Sequence, residues 1–209
     1  MGPGGAGLAE LVATLRAGGL VCVPVRGAYR LVVDAVCEPA VNRLMQLKRR
    51  TSNRPALVLV PDLASAAVIV DGTRWPTTQK LARSFWPGGL TLVLPPSDDL
   101  PIKVKKVLTR ATGKIGVRVS SDPIAAELVR AFAGPLLASS ANLERKVGAG
   151  SAAAIRARFA GKIDAWIDSG DPAAEPASTL VEVNADGWAM VREGAIGRAA
   201  LEHVAGVGG

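Results

Sequence analysis

Residues 113–142 read GKIGVRVSSDPIAAELVRAFAGPLLASSAN, and this stretch decides the fold class. The run 115–119 is apolar and β-branched, as a buried strand is. Asp122 is suited to cap a helix, since its carboxylate can accept a bond from an unpaired backbone N–H. Pro123 fits the first helical position, where its missing N–H costs nothing. Ile124, Leu128 and Phe132 then recur every four residues and predict one apolar helical stripe. Gly134 and Pro135 are stop signals. Residues 136–139 read as a second short strand that runs out into Ser140, Ala141 and Asn142. Strand–helix–strand units usually place their strands parallel, with ligands outside the carboxyl ends. That expectation puts Arg118 and the pair Ser140/Asn142 in one cleft suited to an anion.

Outward from this unit, helices and strands mix with short connections, the pattern of an α/β protein. Toward the N-terminus, Leu8, Leu11, Val12 and Leu15 form a helical stripe ended by Gly18-Gly19. Strands are predicted over 20–25, 31–33, 56–60 and 90–94, and helices over 39–47 and 77–85. In the helix 39–47, Val41, Leu44 and Met45 face inward. Asp62 reads as a cap. The basic run Lys103, Lys105, Lys106, Arg110 reads as a solvated face. Beyond the central unit, 144–150 is a polar loop, and 151–159 and 195–204 are helices. Residues 163–167, 179–183 and 189–192 are strands. Residues 1–7 and 205–209 are glycine-rich and expected to be flexible, which leaves 8–204 as one domain.

Composition narrows the class. The chain has 209 residues, 49% of them hydrophobic, and a net charge of +7, so a core and an anionic partner are both expected. Aromatic residues make up only 4%, which argues against a base-stacking surface. Cys22 and Cys37 read as buried free thiols, in keeping with a reducing cytoplasm. One histidine and two cysteines cannot build the usual zinc site. No apolar run reaches the roughly 20 residues needed to span a bilayer, and the N-terminus lacks the blocks of a signal peptide.

Three groups of residues bear on chemistry. Lys48, Arg50 and Arg54, followed by Pro55 and a buried strand, make a reasonable phosphate clamp, because guanidinium bonds phosphate oxygens in pairs. The same cations also suit the negative end of a helix dipole. Arg118 lies within an apolar strand, where an unpaired charge is costly; it must meet solvent, a carboxylate or an anionic ligand. Ser139, Ser140 and Asn142 supply hydroxyls and an amide at a strand end. A serine nucleophile is rejected, since no GxSxG elbow occurs and His203 has no orienting motif. Neither a Walker P-loop nor a GxGxxG fingerprint is present.

Taken together, these segments resemble the YrdC-like family, which comprises threonylcarbamoyl-AMP synthases and YciO-like paralogues, from about Leu8 to Ile196. The matching pieces are KxR with a later proline (Lys48, Arg50, Pro55) and WPGxLT (Trp86, Pro87, Gly88, Leu90, Thr91). Further along come GxRV (Gly116, Arg118, Val119), SAN (Ser140, Ala141, Asn142), ST (Ser178, Thr179) and RxGA (Arg192, Gly194, Ala195). The resemblance implies a twisted, mixed sheet of parallel and antiparallel strands flanked by helices. It implies a cytoplasmic nucleotidyltransferase that joins ATP, L-threonine and bicarbonate into threonylcarbamoyl-adenylate and pyrophosphate, for t6A modification of tRNA. ATP would be held by Lys48, Arg50, Arg54, Ser140, Asn142 and Arg192, with Mg2+ accompanying the nucleotide. Threonine would face Arg118, Ser178 and Tyr29. Double-stranded RNA binding is ascribed to the family's basic concave face.

The chain departs from the family pattern P-T-[DE]-[TS]-x-Y-G-L-G near the first strand. Here residues 24–32 read PVRGAYRLV. Val25 replaces the hydroxyl residue, Arg26 the acidic one, and Arg30 and Val32 stand in place of glycines. These changes are expected to close or reshape the amino-acid pocket, so that synthesis with threonine is weak or absent, and to leave the phosphate clamp intact. The readings left open are synthesis with threonine or another small acceptor, and a non-catalytic paralogue that binds nucleotide or RNA.

Overall fold

The computed structural model describes residues 6–25, 27–48, 54–141, 151–167, 170 and 175–209. The helices are α1 (Leu8–Arg16), α2 (Glu38–Lys48), α3 (Pro76–Phe85), α4 (Ile102–Leu108), α5 (Pro123–Phe132), α6 (Ala152–Phe159) and α7 (Arg198–Ala205). The strands are β1 (Val21–Pro24), β2 (Tyr29–Asp34), β3 (Ala56–Leu59), β4 (Leu90–Leu94), β5 (Ile115–Arg118), β6 (Leu136–Ser140), β7 (Ala165–Trp166), β8 (Thr179–Val183) and β9 (Trp188–Arg192). They join one nine-stranded sheet in the order β7-β1-β2-β6-β3-β5-β4-β8-β9. The pairs β1·β7, β3·β5 and β4·β8 are parallel and the others antiparallel. This is the mixed, helix-flanked sheet expected from the sequence. No described helix is long and apolar enough to cross a membrane.

The central unit differs from expectation in one respect. β5 and β6 are not parallel neighbours: β3 lies between them, parallel to β5 and antiparallel to β6. α5 therefore returns the chain across the sheet as an antiparallel connection. The carboxyl ends of β5 and β6 point to opposite edges, so Arg118 and Ser140 do not meet at a common strand end. The capping of α5 is as read, with Asp122 Oδ1 accepting from the Ala125 N–H at 3.0 Å. Its buried residues are Ala125, Leu128 and Val129, with Ile124 and Phe132 half-buried, so the stripe is rotated from the one predicted. The basic run 103–110 includes a helix that its charge concealed. α4 buries Val104 and Leu108, and its lysines turn outward toward Glu38 and Asp98.

Alternation along the strands divides the core into two layers. One face packs Leu20, Cys22, Leu31, Val58, Leu92 and Val117 in a cluster that also takes in residues of α2, α3, α4, α6 and α7. Burial there pushes the Cys22 thiol up to about 12, so it is an inert packing residue. The other face packs Val21, Val23, Val32, Leu59, Leu136 and Ala138 against Leu11 and Leu15 of α1 and Leu128 and Val129 of α5. The terminal residues are tied to the sheet edges. The Ala6 N–H donates to the Trp166 carbonyl at 2.9 Å, and the Gly209 N–H to the Trp188 carbonyl at 3.0 Å.

The short edge strand β7 is held from outside by an ion pair. Arg43 of α2 donates through both terminal nitrogens to the Asp164 carboxylate, which also accepts from the Leu20 N–H at 2.7 Å. The bond to Arg43 lowers the Asp164 carboxyl below its ordinary range, and the Leu20 N–H acts in the same direction. Both side chains are about two-fifths exposed (42% and 38%), so solvent screening limits the contribution to about 1 kcal/mol. A depressed carboxyl stabilises above its unfolded pKa, about 3.9, and loses that contribution as pH falls through the folded value. Asp164→Asn is therefore expected to lower stability by about 1 kcal/mol at pH 7. Urea unfolding of both proteins should show the gap close below about pH 4.

Candidate functional site: an open basic face of the sheet

α1 and α5 cover only part of their face. Ladder partners share a face, so the registers Arg30↔Ser140, Leu57↔Gly116 and Leu59↔Arg118 extend that face past the helices. The pairs Val93↔Gly116 and Thr91↔Leu180 carry it on to β4 and β8. Beyond the helices this face carries Arg30, Ser140 and Arg192, which are half-buried, and Gly116 and Thr91, which are buried. Gly116 is required there, because a Cβ would stand 3.0 Å from Thr91 Cγ2 and 3.2 Å from the Ala56 carbonyl oxygen. Sequence reasoning looked for the site at a strand end; the sheet face is what brings these residues together.

At one side of this face the C-terminus of α2 meets the end of β6. Lys48 Nζ donates to the Ser140 carbonyl at 2.5 Å, and the Ala141 N–H donates to the Tyr29 carbonyl at 2.8 Å. The KxR and SAN segments, far apart in sequence, are thus clasped together. Arg50 and Asn142, and with them Arg26 and residues 144–145, lie outside the described residues.

Across the face, Arg192 is clamped by backbone. Its Nη2 donates to the Ser178 carbonyl at 2.6 Å. Burial, and after it the charge of Arg54, pulls its guanidinium below its ordinary pKa. Arg54 and Arg192 are therefore near enough to repel, although one precedes the central strand β3 and the other ends the edge strand β9. Guanidinium stays charged under these conditions, so an anion between the two would relieve the repulsion.

Ser178 is set by its neighbours. Its Oγ accepts from Thr91 Oγ1 at 3.0 Å. The next residue, Thr179, is fully buried, and its Oγ1 donates to the Ile196 carbonyl at 2.7 Å while accepting from the N–H groups of Gly194 and Ile196. Gly194 passes so close that a Cβ there would lie 2.2 Å from the Ala177 carbonyl oxygen. This contact explains the spacing of ST and RxGA: the hydroxyl knots the return of β9 onto the start of β8 and so fixes Arg192 and Ser178. Thr179 and Gly194 were seen in the sequence only as motif letters. A hydroxyl opening a strand and a glycine two residues after an arginine were the available signals.

Arg118 is 2% exposed, and its Nε donates to the Gly88 carbonyl at 2.7 Å. It holds the 86–89 loop, where a Cβ on Gly88 would stand 2.3 Å from the Phe85 carbonyl oxygen. A backbone carbonyl is thus one partner of the buried charge, a possibility outside the three the sequence suggested. By the antiparallel register, Arg118 follows Val117, the partner of Leu92, and so stands across from Thr91, whose hydroxyl reaches Ser178. Tyr29 does not join them. It is 1% exposed on the opposite face, stacked on Trp166 at 4.8 Å, and its hydroxyl donates to the Gly170 carbonyl.

The departures near the first strand have unequal consequences. Val25 and Val32 are each 1% exposed and belong to the apolar layer with α1 and α5. They are packing residues. Of Val25, Arg30 and Val32, Arg30 stands on the open face, directly across from Ser140.

With this geometry in view, the likeness to known proteins is extensive. A family profile for Sua5, YciO and YrdC proteins, described as "Telomere recombination", matches residues 13–194. A threonylcarbamoyl-AMP synthase of Pyrococcus abyssi is 31% identical over 192 residues, which are 92% of this chain and 55% of that protein. Among solved structures, P. abyssi Sua5 complexed with L-threonine superposes with a TM-score of 0.81 at 29% identity, over 95% of this chain and 58% of that one. E. coli YciO shares the fold, with a TM-score of 0.78 at 22% identity over 93% and 92% of the two chains. This chain spans little more than half the length of the P. abyssi protein. The profile match runs through every element that builds the open face, and the chain belongs to the Sua5/YciO/YrdC family.

Proposed function

We propose that this chain makes threonylcarbamoyl-adenylate and pyrophosphate from ATP, L-threonine and bicarbonate, for the t6A modification of tRNA. The observation that carries the reading is the convergence of Arg54 and Arg192, with the Lys48–Ser140 clasp, on an open face bounded by Thr91 and Ser178. The P. abyssi relative is named for this activity, and its structure was solved with L-threonine. Arg54 and Arg192, with Lys48, Ser140, Arg50 and Asn142, hold the nucleotide. Ser178, Thr91 and Arg118 border the acceptor.

The chemistry follows from that placement. The acceptor amine and bicarbonate combine to a carbamate with loss of water. A carbamate oxygen then attacks the α-phosphorus, and pyrophosphate leaves with its charge facing Arg54 and Arg192. Positioning and charge stabilisation suffice, and no side chain needs to form a covalent intermediate. Among the described residues no group of three or more His, Cys, Asp or Glu could hold a metal. The lysine and arginine side chains cannot ligate Mg2+, which takes oxygen ligands, so the ion would enter on the phosphates of the nucleotide. Work in a reducing cytoplasm fits the two free cysteines. Contact with tRNA or double-stranded RNA would be weak and salt-sensitive, resting on the net charge of +7.

A second reading, a nucleotide-binding paralogue without synthesis, is favoured by Arg30 on the open face. Two measurements decide. Supplied with ATP, bicarbonate and L-threonine, the protein is expected to release pyrophosphate and form the adenylate, detected by mass spectrometry. ATP binding with no pyrophosphate from any amino acid would leave the second reading standing.

The clamp has its own test. Charge-assisted bonds to phosphate contribute about 1.5–3 kcal/mol each. Arg54→Ala and Arg192→Ala are each expected to weaken ATP binding by about one to two orders of magnitude in calorimetry. An unchanged dissociation constant in either would remove that arginine from the site.

A further inference from the structure

We propose that Arg30 is an additional contact for the phosphate chain of the nucleotide, one that this chain supplies where the family pattern has glycine. The inference rests on the nucleotide reading above and concerns a residue that reading does not use. Arg30 pairs with Ser140 across β2 and β6, and directly opposite residues carry Cβ atoms about 5 Å apart on one face. Val23 and Val32, its neighbours on that face, are buried under α1 and α5, while Arg30 and Ser140 are only half-buried. Arg30 therefore stands where the helix cover ends. An arginine at such a boundary can lay its stem along the apolar layer and turn its charged head to the cleft. Lys48 is drawn to the same corner by its bond to the Ser140 carbonyl.

Position also separates the two anionic ligands that an arginine here could read. Thr91, which orders Ser178 at the acceptor side, is on β4, four strand spacings from β2 in the sheet order. Arg30 is thus nearer to Ser140, its ladder partner, than to the Thr91–Ser178 pair. A planar fork of donors is suited to bridging two phosphate oxygens, and a lysine ammonium replaces it only in part.

The test titrates the full chain and its variants Arg30→Gln, Arg30→Lys and Arg30→Gly with ATP, adenosine, L-threonine and L-aspartate. Arg30→Gln, close in length and neutral, is read if Arg30→Gly fails to fold, with thermal unfolding as the check. The parent is expected to bind ATP at least tenfold more tightly than Arg30→Gln and Arg30→Gly, with Arg30→Lys between and adenosine affinity unchanged in all. Equal or tighter ATP binding by Arg30→Gln overturns the proposal and leaves the nucleotide reading intact. So does an effect confined to L-aspartate, which would assign Arg30 to the acceptor. A parent that binds no ATP at all overturns both.

Discussion

Two helices cannot cover nine strands. Eight spacings of about 4.8 Å make a sheet roughly 38 Å wide, while a helix with its side chains spans about 10 Å. On the face packed by α1 and α5, nearly half of that width is left over. Apolar side chains facing water there would form the kind of patch that single proteins rarely expose. The remainder carries Arg30, Ser140, Thr91, Glu182 and Arg192 beside the buried Val93 and Leu180, with Gly116 among them. Charge on this face follows from incomplete cover, and the cleft exists because the second layer stops short.

What the sequence made legible follows from how far each signal reaches along the chain. Caps, helix stops and apolar strands act within a few residues, so Asp122 and most strands are where they were expected. The direction of β6 relative to β5 depends on β3 inserting between them, a contact between segments about 80 residues apart. No local pattern in 113–142 encodes it. α4 was hidden for a different reason. In a seven-residue helix only Val104 and Leu108 need to face inward, and three lysines in the same turns outweigh them in any reading by composition.

The site residues divide along the same line. Residue type alone marked Lys48, Arg54 and Ser140 as polar groups near strand ends, and the structure bonds Lys48 to the Ser140 carbonyl. It could not tell Arg118 from Arg192. Both are arginines of strands with carbonyl partners, yet Arg118 is 2% exposed and braces a loop, while Arg192 stands near another cation. The difference lies in what surrounds the guanidinium, which sequence does not carry. Nor could it tell that Val25 and Val32 face a helix layer and Arg30 the cleft. Arg30 and Val32 share a face, and only the reach of α1 and α5 sets them apart.

The electrostatics of the open face has a consequence for how the fold is held. Arg54 and Arg192 repel, and burial adds to the cost of the Arg192 charge. Something must hold the cations in place against that cost, and three devices do so. The Ser178 carbonyl grips Arg192. Thr179 satisfies three backbone groups at once and fixes the return that carries Arg192. The Ser140 carbonyl grips Lys48. Each holds a cation, or the chain that bears it, through backbone rather than through a carboxylate. A carboxylate would relieve the repulsion before any ligand arrived and would compete with it afterwards. Carbonyl partners fix the geometry without cancelling the charge of the side chain they hold, so an incoming anion meets cations already in place.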